Sequence, residues 1–370
     1  MESCLPLVFV SLEDWDEIWR RNQFLCAILS RRRRILFVGP PRTVRERDFR
    51  WTVPVHPGVT FFRPWKVLPN RWTSGRRINE WLHRFQLRLL CRTLGMSRPT
   101  LWINDHAQGH LAGRLGEAGV VYDVTDDWTV FPQQEEDRRR TVAQDAALTR
   151  RADAVIVCSD ALYAQKDGRC RSLHLIPNGV DLAHYERVSD ASRARPSDAV
   201  WPSPAVGYTG TVHAARVDLE LLEALAQALP SVSIVLIGPS HLAPGRLQRY
   251  PNIFLAGPRP YEVLPEYMRT FDACIVPHLM TPFTESLNPI KLWEYLAAGL
   301  PVVSTDVAGF RDYPDLVRLT RTPAEFVAQV RAALDEGDRH QAARRAVAAH
   351  NSWELRAGQV SAILAQVGGS

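Results

Sequence analysis

The chain has 370 residues, 46% apolar and 23% charged, with a net charge of +5 and a pI near 9.0. That length and balance fit a soluble protein of two domains with full cores, and they exclude a disordered or collagen-like chain. Cys4, Cys26, Cys91, Cys158, Cys170 and Cys274 form no CxxC pair, so no zinc or disulfide framework is expected and a reducing cytosol is the default.

The apolar run Leu7–Ser11 has no basic segment before it and leads into Glu13 and Asp14, so it reads as a strand, not a signal peptide. A helix is expected over Trp15–Ser30, with Trp15 and Trp19 on its core face and Arg20 and Arg21 as candidate site residues. Arg31–Arg34 at its far end complement its dipole and offer a contact for anionic lipid. Strands come next at Ile35–Val38, Val59–Phe62, Thr100–Asn104, Val120–Val124, Ala154–Cys158 and Ser172–Ile176, with helical patterns at Ile78–Thr93 and Arg138–Arg150 between them. Residues 186–204, rich in Ser, Pro and Ala, read as a linker or long loop.

Alternation then restarts. Strands are expected at Ala205–Tyr208, Ser233–Ile237, Ile253–Ala256, Ala273–Val276 and Val302–Ser304, and helices at Leu219–Leu229, Val263–Thr270 and 289–298. A last helix runs from Ser352 to Val367. Strands alternating with helices in both halves predict two doubly wound parallel sheets facing a cleft. No apolar run reaches 18 residues, so no membrane span is expected.

Ligands of such sheets bind beyond the carboxyl ends of strands, so polar residues there are the candidates. Asp105 and His106 follow one strand; His106 and His110 are four apart, but no HExxH pattern supports a metal site. Asp126 and Asp127 follow another and could serve as a base, accept sugar hydroxyls or hold a metal. In Gly207-Tyr-Thr-Gly-Thr-Val-His-Ala-Ala-Arg216, the glycines Gly207 and Gly210 permit close phosphate approach, with Thr211, His213 and Arg216 as partners; the motif is neither a Walker loop nor GxGxxG.

The most informative stretch is 285–305, ESLNPIKLWEYLAAGLPVVST. Asn288 is a good N-cap and Pro289 fits the first helical position, while Gly299 suits the helix end. The helix start makes an anion site, with Lys291 beside it and Glu294 one turn deeper. That combination suits a nucleoside diphosphate and its ribose.

Four stretches together resemble the GT-B glycosyltransferases, family 4 in particular. They are ADAVIVCSDAL (152–162), HLIPNGVDLAHY (174–185), FDACIVPH followed by the 285–309 segment, and NSWELRAGQV (351–360). The resemblance covers nearly the whole chain. It implies an acceptor-binding Rossmann-like domain at 1–185 joined by the closing helix 352–370, and a donor-binding one at 186–351. It makes Glu294 the carboxylate on the donor ribose and sets the amides around Leu287 and Asn288 against diphosphate or sugar. Arg216 and Lys291 would neutralise the diphosphate, and the turn Gly257–Tyr261, with Arg259, would frame the base. The family has a second acid eight residues before Glu294; here Ser286 stands there, with Glu285 one place off.

The resemblance further implies a metal-independent enzyme without a cofactor, using a UDP, GDP or dTDP sugar. It implies a retaining mechanism as well, and the sequence does not decide between that and inversion. The acceptor would be a glycan, lipid-linked sugar or other envelope precursor, bound near Asp105, His106, Asp126, Asp127, Arg20 and Arg21. A cytoplasmic place, with peripheral membrane contact, is the expected setting, and no nucleic acid is expected. A nucleotide-sugar epimerase-hydrolase and a non-catalytic sugar-nucleotide module are the alternatives.

Overall fold

The structure is a computed structural model that describes residues 4–16, 18–43, 52–69, 72–190, 192–243 and 245–369. It divides into two compact units, Met1–Pro177 with Trp353–Ser370, and Asn178–Ser352.

Strands of the first unit are β1 (Leu7–Val10), β2 (Ile35–Val38), β3 (Arg42–Thr43), β4 (Val53–His56), β5 (Val59–Phe62), β6 (Trp65–Lys66), β7 (Thr100–Ile103), β8 (Gly119–Val124), β9 (Ala154–Val157) and β10 (Leu173–Leu175). Those of the second are β11 (Ala205–Thr209), β12 (Ser233–Ile237), β13 (Ile253–Gly257), β14 (Ala273–Val276), β15 (Val302–Thr305) and β16 (Val317–Thr320). The helices are α1 (Arg21–Leu29), α2 (Thr73–Thr93), α3 (Glu135–Arg151), α4 (Asp160–Lys166), α5 (Leu182–Glu186), α6 (Leu219–Ala228), α7 (Leu264–Met268), α8 (Pro282–Glu285), α9 (Ile290–Ala298), α10 (Pro323–Leu334), α11 (Gln341–Ala349) and α12 (Trp353–Gly368).

The first unit's main sheet has the order β10-β9-β8-β7-β1-β2-β5-β4, parallel except where β4 runs against β5. Its central strands β1, β2, β7 and β9 are buried at every position. Continuous apolar runs such as LVFV and AVIV are what a sheet covered on both faces requires. The closing helix α12 belongs to this unit: Trp353 stacks on Phe24 of α1 at 5.2 Å. Gly119 lets α12 approach β8, since a Cβ there would lie 2.7 Å from the Val367 carbonyl oxygen.

The helix expected over Trp15–Ser30 starts only at Arg21. The Gln23 side chain accepts the Arg20 N–H at 3.1 Å and fixes that start. Trp15 and Trp19 still meet, edge to face at 5.6 Å, but from irregular chain. The basic run beyond α1 is also partly structural. Arg33 is buried and donates to Ser361, and Arg34 donates to the carbonyls of Leu94 and Gly95 just past α2.

The second sheet, all parallel, has the order β13-β12-β11-β14-β15-β16. Residues 186–204 do not behave as a linker. Val188, Ala199 and Trp201 are buried, Trp201 Nε1 donates to Thr270 at 3.0 Å, and Arg187 and Arg193 both pair with Glu266. α9 ends at Gly299 with φ +80, as the sequence implied. Its N-cap is Pro289, not Asn288, whose side chain instead accepts the backbone N–H of Asn178 at 2.8 Å. The sequence reading had no place for β16, α10 or α11.

Candidate functional site

In both sheets the strand order reverses, between β1 and β7 and between β11 and β14. The second unit gathers most of its candidate residues at the latter reversal. Gly210 follows β11 with φ +144, a conformation that side chains other than hydrogen resist. A Cβ there would lie 2.5 Å from Lys291 Nζ, so the glycine makes room for an ammonium delivered by α9. That ammonium stands 5.3 Å from the centroid of Tyr208. The Thr209 amide beside it donates to the Tyr295 hydroxyl at 2.9 Å, which ties the end of β11 to α9.

His278 follows β14 and lies 3.3 Å from the Tyr208 hydroxyl. Burial, reinforced by Lys291 and Arg216, holds its pKa well below the usual value, so the ring is neutral at pH 7. Two cations therefore converge on this strand end. The Arg216 guanidinium lies 5.5 Å over the Phe283 ring, and among the described residues no carboxylate pairs with it. Thr211 is half-buried nearby, and its carbonyl accepts from Tyr208 at 3.3 Å.

Glu294 sits one turn beyond Lys291 and accepts the Tyr185 hydroxyl at 2.8 Å. Burial raises its pKa, while Lys291 and the Tyr185 bond pull it back down. Tyr261 stacks on His184 with centroids 3.9 Å apart and meets Tyr185 edge-on at 6.2 Å. A carboxylate, an aromatic wall and two cations thus share one unit, a combination able to hold a sugar ring and a polyanion.

Other donor-side candidates serve the scaffold. Arg259 donates to Asp198 at 2.6 Å and to Tyr267 at 2.9 Å, which commits its side chain. Buried Ser286 donates to the Phe283 carbonyl at 2.8 Å, buried Leu287 follows it, and Asn288 is pinned by Asn178. Glu285 is bound by both terminal nitrogens of Arg311 at 2.8 and 3.0 Å, and Arg311 also holds Asp306.

In the first unit Asp105 caps the short helix His106–Leu111, accepting from Ala107 at 2.9 Å and Gln108 at 3.2 Å. Burial pushes the Asp105 carboxyl up and the His106 imidazole down. Asp126 accepts from Thr125 at 3.3 Å, and Asp127 from Gln165 at 2.7 Å and the Thr129 amide at 3.0 Å. Arg20 pairs with Glu13.

Arg21 is a correction. It is 3% exposed, it grips buried Asp123 through Nε at 3.0 Å and a terminal nitrogen at 3.2 Å, and it donates to the carbonyls of Ile176 and Pro177. It pins the core and presents nothing to a ligand. His110 faces His83, not a metal-like partner of His106; their rings are 5.5 Å apart and burial depresses their pKa values to about 4 and about 3. Among the described residues no group of three or more His, Cys, Asp or Glu assembles as a metal site.

Residues 203–336, which hold Gly210, Arg216, Lys291 and Glu294, match the family model described as glycosyl transferases group 1. TuaH of Bacillus subtilis (strain 168), named for a glycosyltransferase role in teichuronic acid biosynthesis, is 24% identical over 327 residues, 81% of this chain and 80% of TuaH. Sucrose-phosphate synthase from Thermosynechococcus elongatus superposes with a TM-score of 0.74 at 17% identity, over 98% of this chain and 99% of its own. The chain has the GT-B fold of that structure, and its second unit carries the match to glycosyl transferases group 1. Anabaena HepE, solved in complex with UDP and glucose, shares the fold with a TM-score of 0.71 at 17% identity, over 98% of this chain and 99% of its own.

The sequence reading missed Tyr185, Tyr208, His278 and Tyr295. His278 was within reach, because it is a polar residue directly beyond a strand. Tyr185 was not: nothing in local spacing pairs it with Glu294, 109 positions away.

Proposed function

We propose that this protein is a nucleotide-sugar glycosyltransferase that holds a UDP, GDP or dTDP sugar in its second unit and passes the sugar to a glycan, lipid-linked or other envelope acceptor held by its first. The carrying observation is the Lys291 ammonium seated against Gly210, with Arg216 beside it and Glu294 one turn deeper. Glu294 takes the ribose hydroxyls, and the backbone of the turn after β13, at Pro258 and Arg259, borders the base. Lys291 and Arg216 meet the diphosphate with the amide of Thr211, the Gly210 amide being taken by the Ile237 carbonyl at 2.7 Å. As the bond from the sugar's anomeric carbon to the diphosphate oxygen breaks, charge grows on that oxygen, and two cations already in place stabilise it without a metal.

Ser286, Leu287 and Asn288 form the floor under the transferred sugar. In the first unit Asp105, His106, Asp126 and Asp127 border the acceptor, with retention of anomeric configuration. The complex of HepE with UDP and glucose supports the donor class, and the name of TuaH supports an envelope polysaccharide acceptor.

The test is thermal shift with UDP, GDP and dTDP. One of them raises the melting temperature, and Glu294→Ala abolishes the rise. No shift from any nucleoside diphosphate at millimolar concentration refutes the proposal, since a ligand at 100 times its Kd would add about 2.7 kcal/mol.

A further inference from the structure

Helix α2 carries two apolar faces. Leu87, Leu90 and Cys91 are buried in the first unit's core. Ile78, Trp81, Phe85 and Leu89, spaced three, four and four apart, form a second stripe that is exposed. Trp81 is 61% exposed and Phe85 52%, and the two rings stack on each other at 5.8 Å. Trp72 at the helix start and Val67 just before it are exposed as well.

At 100° per residue, Arg77, Arg84 and Arg88 fall together along one border of this stripe, and Arg92 closes its carboxyl end. The helix TSGRRINEWLHRFQLRLLCRT contains five arginines and one acid, Glu80. None of these four arginines takes part in a salt bridge among the described residues; Arg84 and Arg88 donate to the Glu80 and Arg114 carbonyls. Large apolar side chains in open solvent beside uncompensated cations are costly for a surface with no partner.

We infer that this face of α2 lies on an anionic lipid surface. The charge selects the occupant: three guanidinium groups on one border and a fourth at the stripe's end demand phosphate or another dense anion. The long stripe with two aromatic rings matches the boundary between headgroups and acyl chains. The helix does not cross the membrane, as among the described residues none is long and apolar enough to do so. Instead it lies flat, with Trp81 and Phe85 inserted and the arginines at phosphate level. The inference does not rest on the donor or acceptor reading, because its test contains neither sugar nor nucleotide.

The experiment is co-sedimentation of the full chain with phosphatidylcholine vesicles, with and without about 30% phosphatidylglycerol, with tryptophan emission read in parallel. Wild type partitions at least about tenfold better onto the anionic vesicles and its emission shifts to the blue. Trp81→Ser with Phe85→Ser lowers that partition more than about tenfold and removes the blue shift. Arg77→Gln with Arg92→Gln lowers it by about fivefold per arginine, as does raising the salt. All these side chains are exposed, and an unchanged melting temperature verifies the fold. Failure of wild type to bind anionic vesicles overturns the inference, as does binding that both variants retain. Self-association that the Trp81 and Phe85 variant abolishes, without vesicle binding, assigns the face to a second copy and overturns it too.

Discussion

Gly210→Ala is the sharpest probe of the donor site, because it adds one methyl group and touches one ligand-facing atom. The new Cβ would lie 2.5 Å from Lys291 Nζ, whereas ordinary contact begins near 3.4 Å, so the ammonium must retreat by about 0.9 Å. A charge-assisted hydrogen bond to the diphosphate does not survive such a retreat, at a cost of about 1.5–3 kcal/mol, or roughly ten- to a hundredfold in Kd. Strain at φ +144 adds about 1–3 kcal/mol against folding, which lowers the melting temperature but is present with and without ligand. Calorimetric titration with the nucleoside diphosphate identified by thermal shift separates the two effects. Lys291→Ala loses a similar factor, and in that background Gly210→Ala changes Kd by less than about twofold, since no ammonium remains to displace. If Gly210→Ala binds as tightly as wild type, or the two losses multiply in the double variant, Lys291 is not the diphosphate ligand.

The same geometry sets three other outcomes. Burial raises the Glu294 carboxyl, so folding favours its protonated form, and its contribution to stability falls as pH rises from the ordinary glutamate value of about 4.3 through the raised one. Glu294→Gln should therefore melt higher than wild type at pH 8, in the absence of ligand, while losing the nucleotide-induced shift; a lower melting point at pH 8 contradicts the burial argument. Tyr185→Phe removes the 2.8 Å bond that helps hold Glu294 ionised, so the acid limb of nucleotide affinity should move to higher pH in a titration series. Arg21→Ala leaves Asp123 buried and unpaired at a cost of about 3–5 kcal/mol, whereas Arg21→Met with Asp123→Leu recovers most of it in denaturant melts; an equal loss in both would show that the pair itself carries the stability.

Much of the fold was legible because buried parallel strands advertise themselves. Ile35–Val38, Val59–Phe62, Ser233–Ile237 and Ala273–Val276 have the observed bounds, each an unbroken or nearly unbroken apolar run. Edge and surface elements were harder. β16 reads VRLT, with Arg318 reaching out to Glu336, so its apolar signal is half that of a central strand. The helix start at Arg21 was obscured because Trp15 and Trp19 mimic helical spacing while packing from irregular chain. At the site, Gly210, Lys291 and Glu294 could be named from strand ends and helix spacing. The commitment of Arg21 to Asp123, and of Glu285 to Arg311, depends on partners far along the chain, which no local pattern encodes. The stripe on α2 did leave a trace, because apolar residues at 78, 81, 82, 85, 87, 89 and 90 are too many for one buried face.

The place of α12 has a consequence for synthesis on the ribosome. The second unit is one uninterrupted stretch, Asn178–Ser352, and can fold as soon as it emerges. The first unit cannot be completed until Trp353 and the helix behind it appear, because Phe24 and Gly119 are shaped to receive them. At roughly 5–20 residues per second the ribosome needs about 10–35 s to make the intervening segment. Through that interval the nascent amino-terminal half exposes the apolar seat of its missing helix. A message cut short near residue 350 would release a chain with one finished half and one that chaperones must hold.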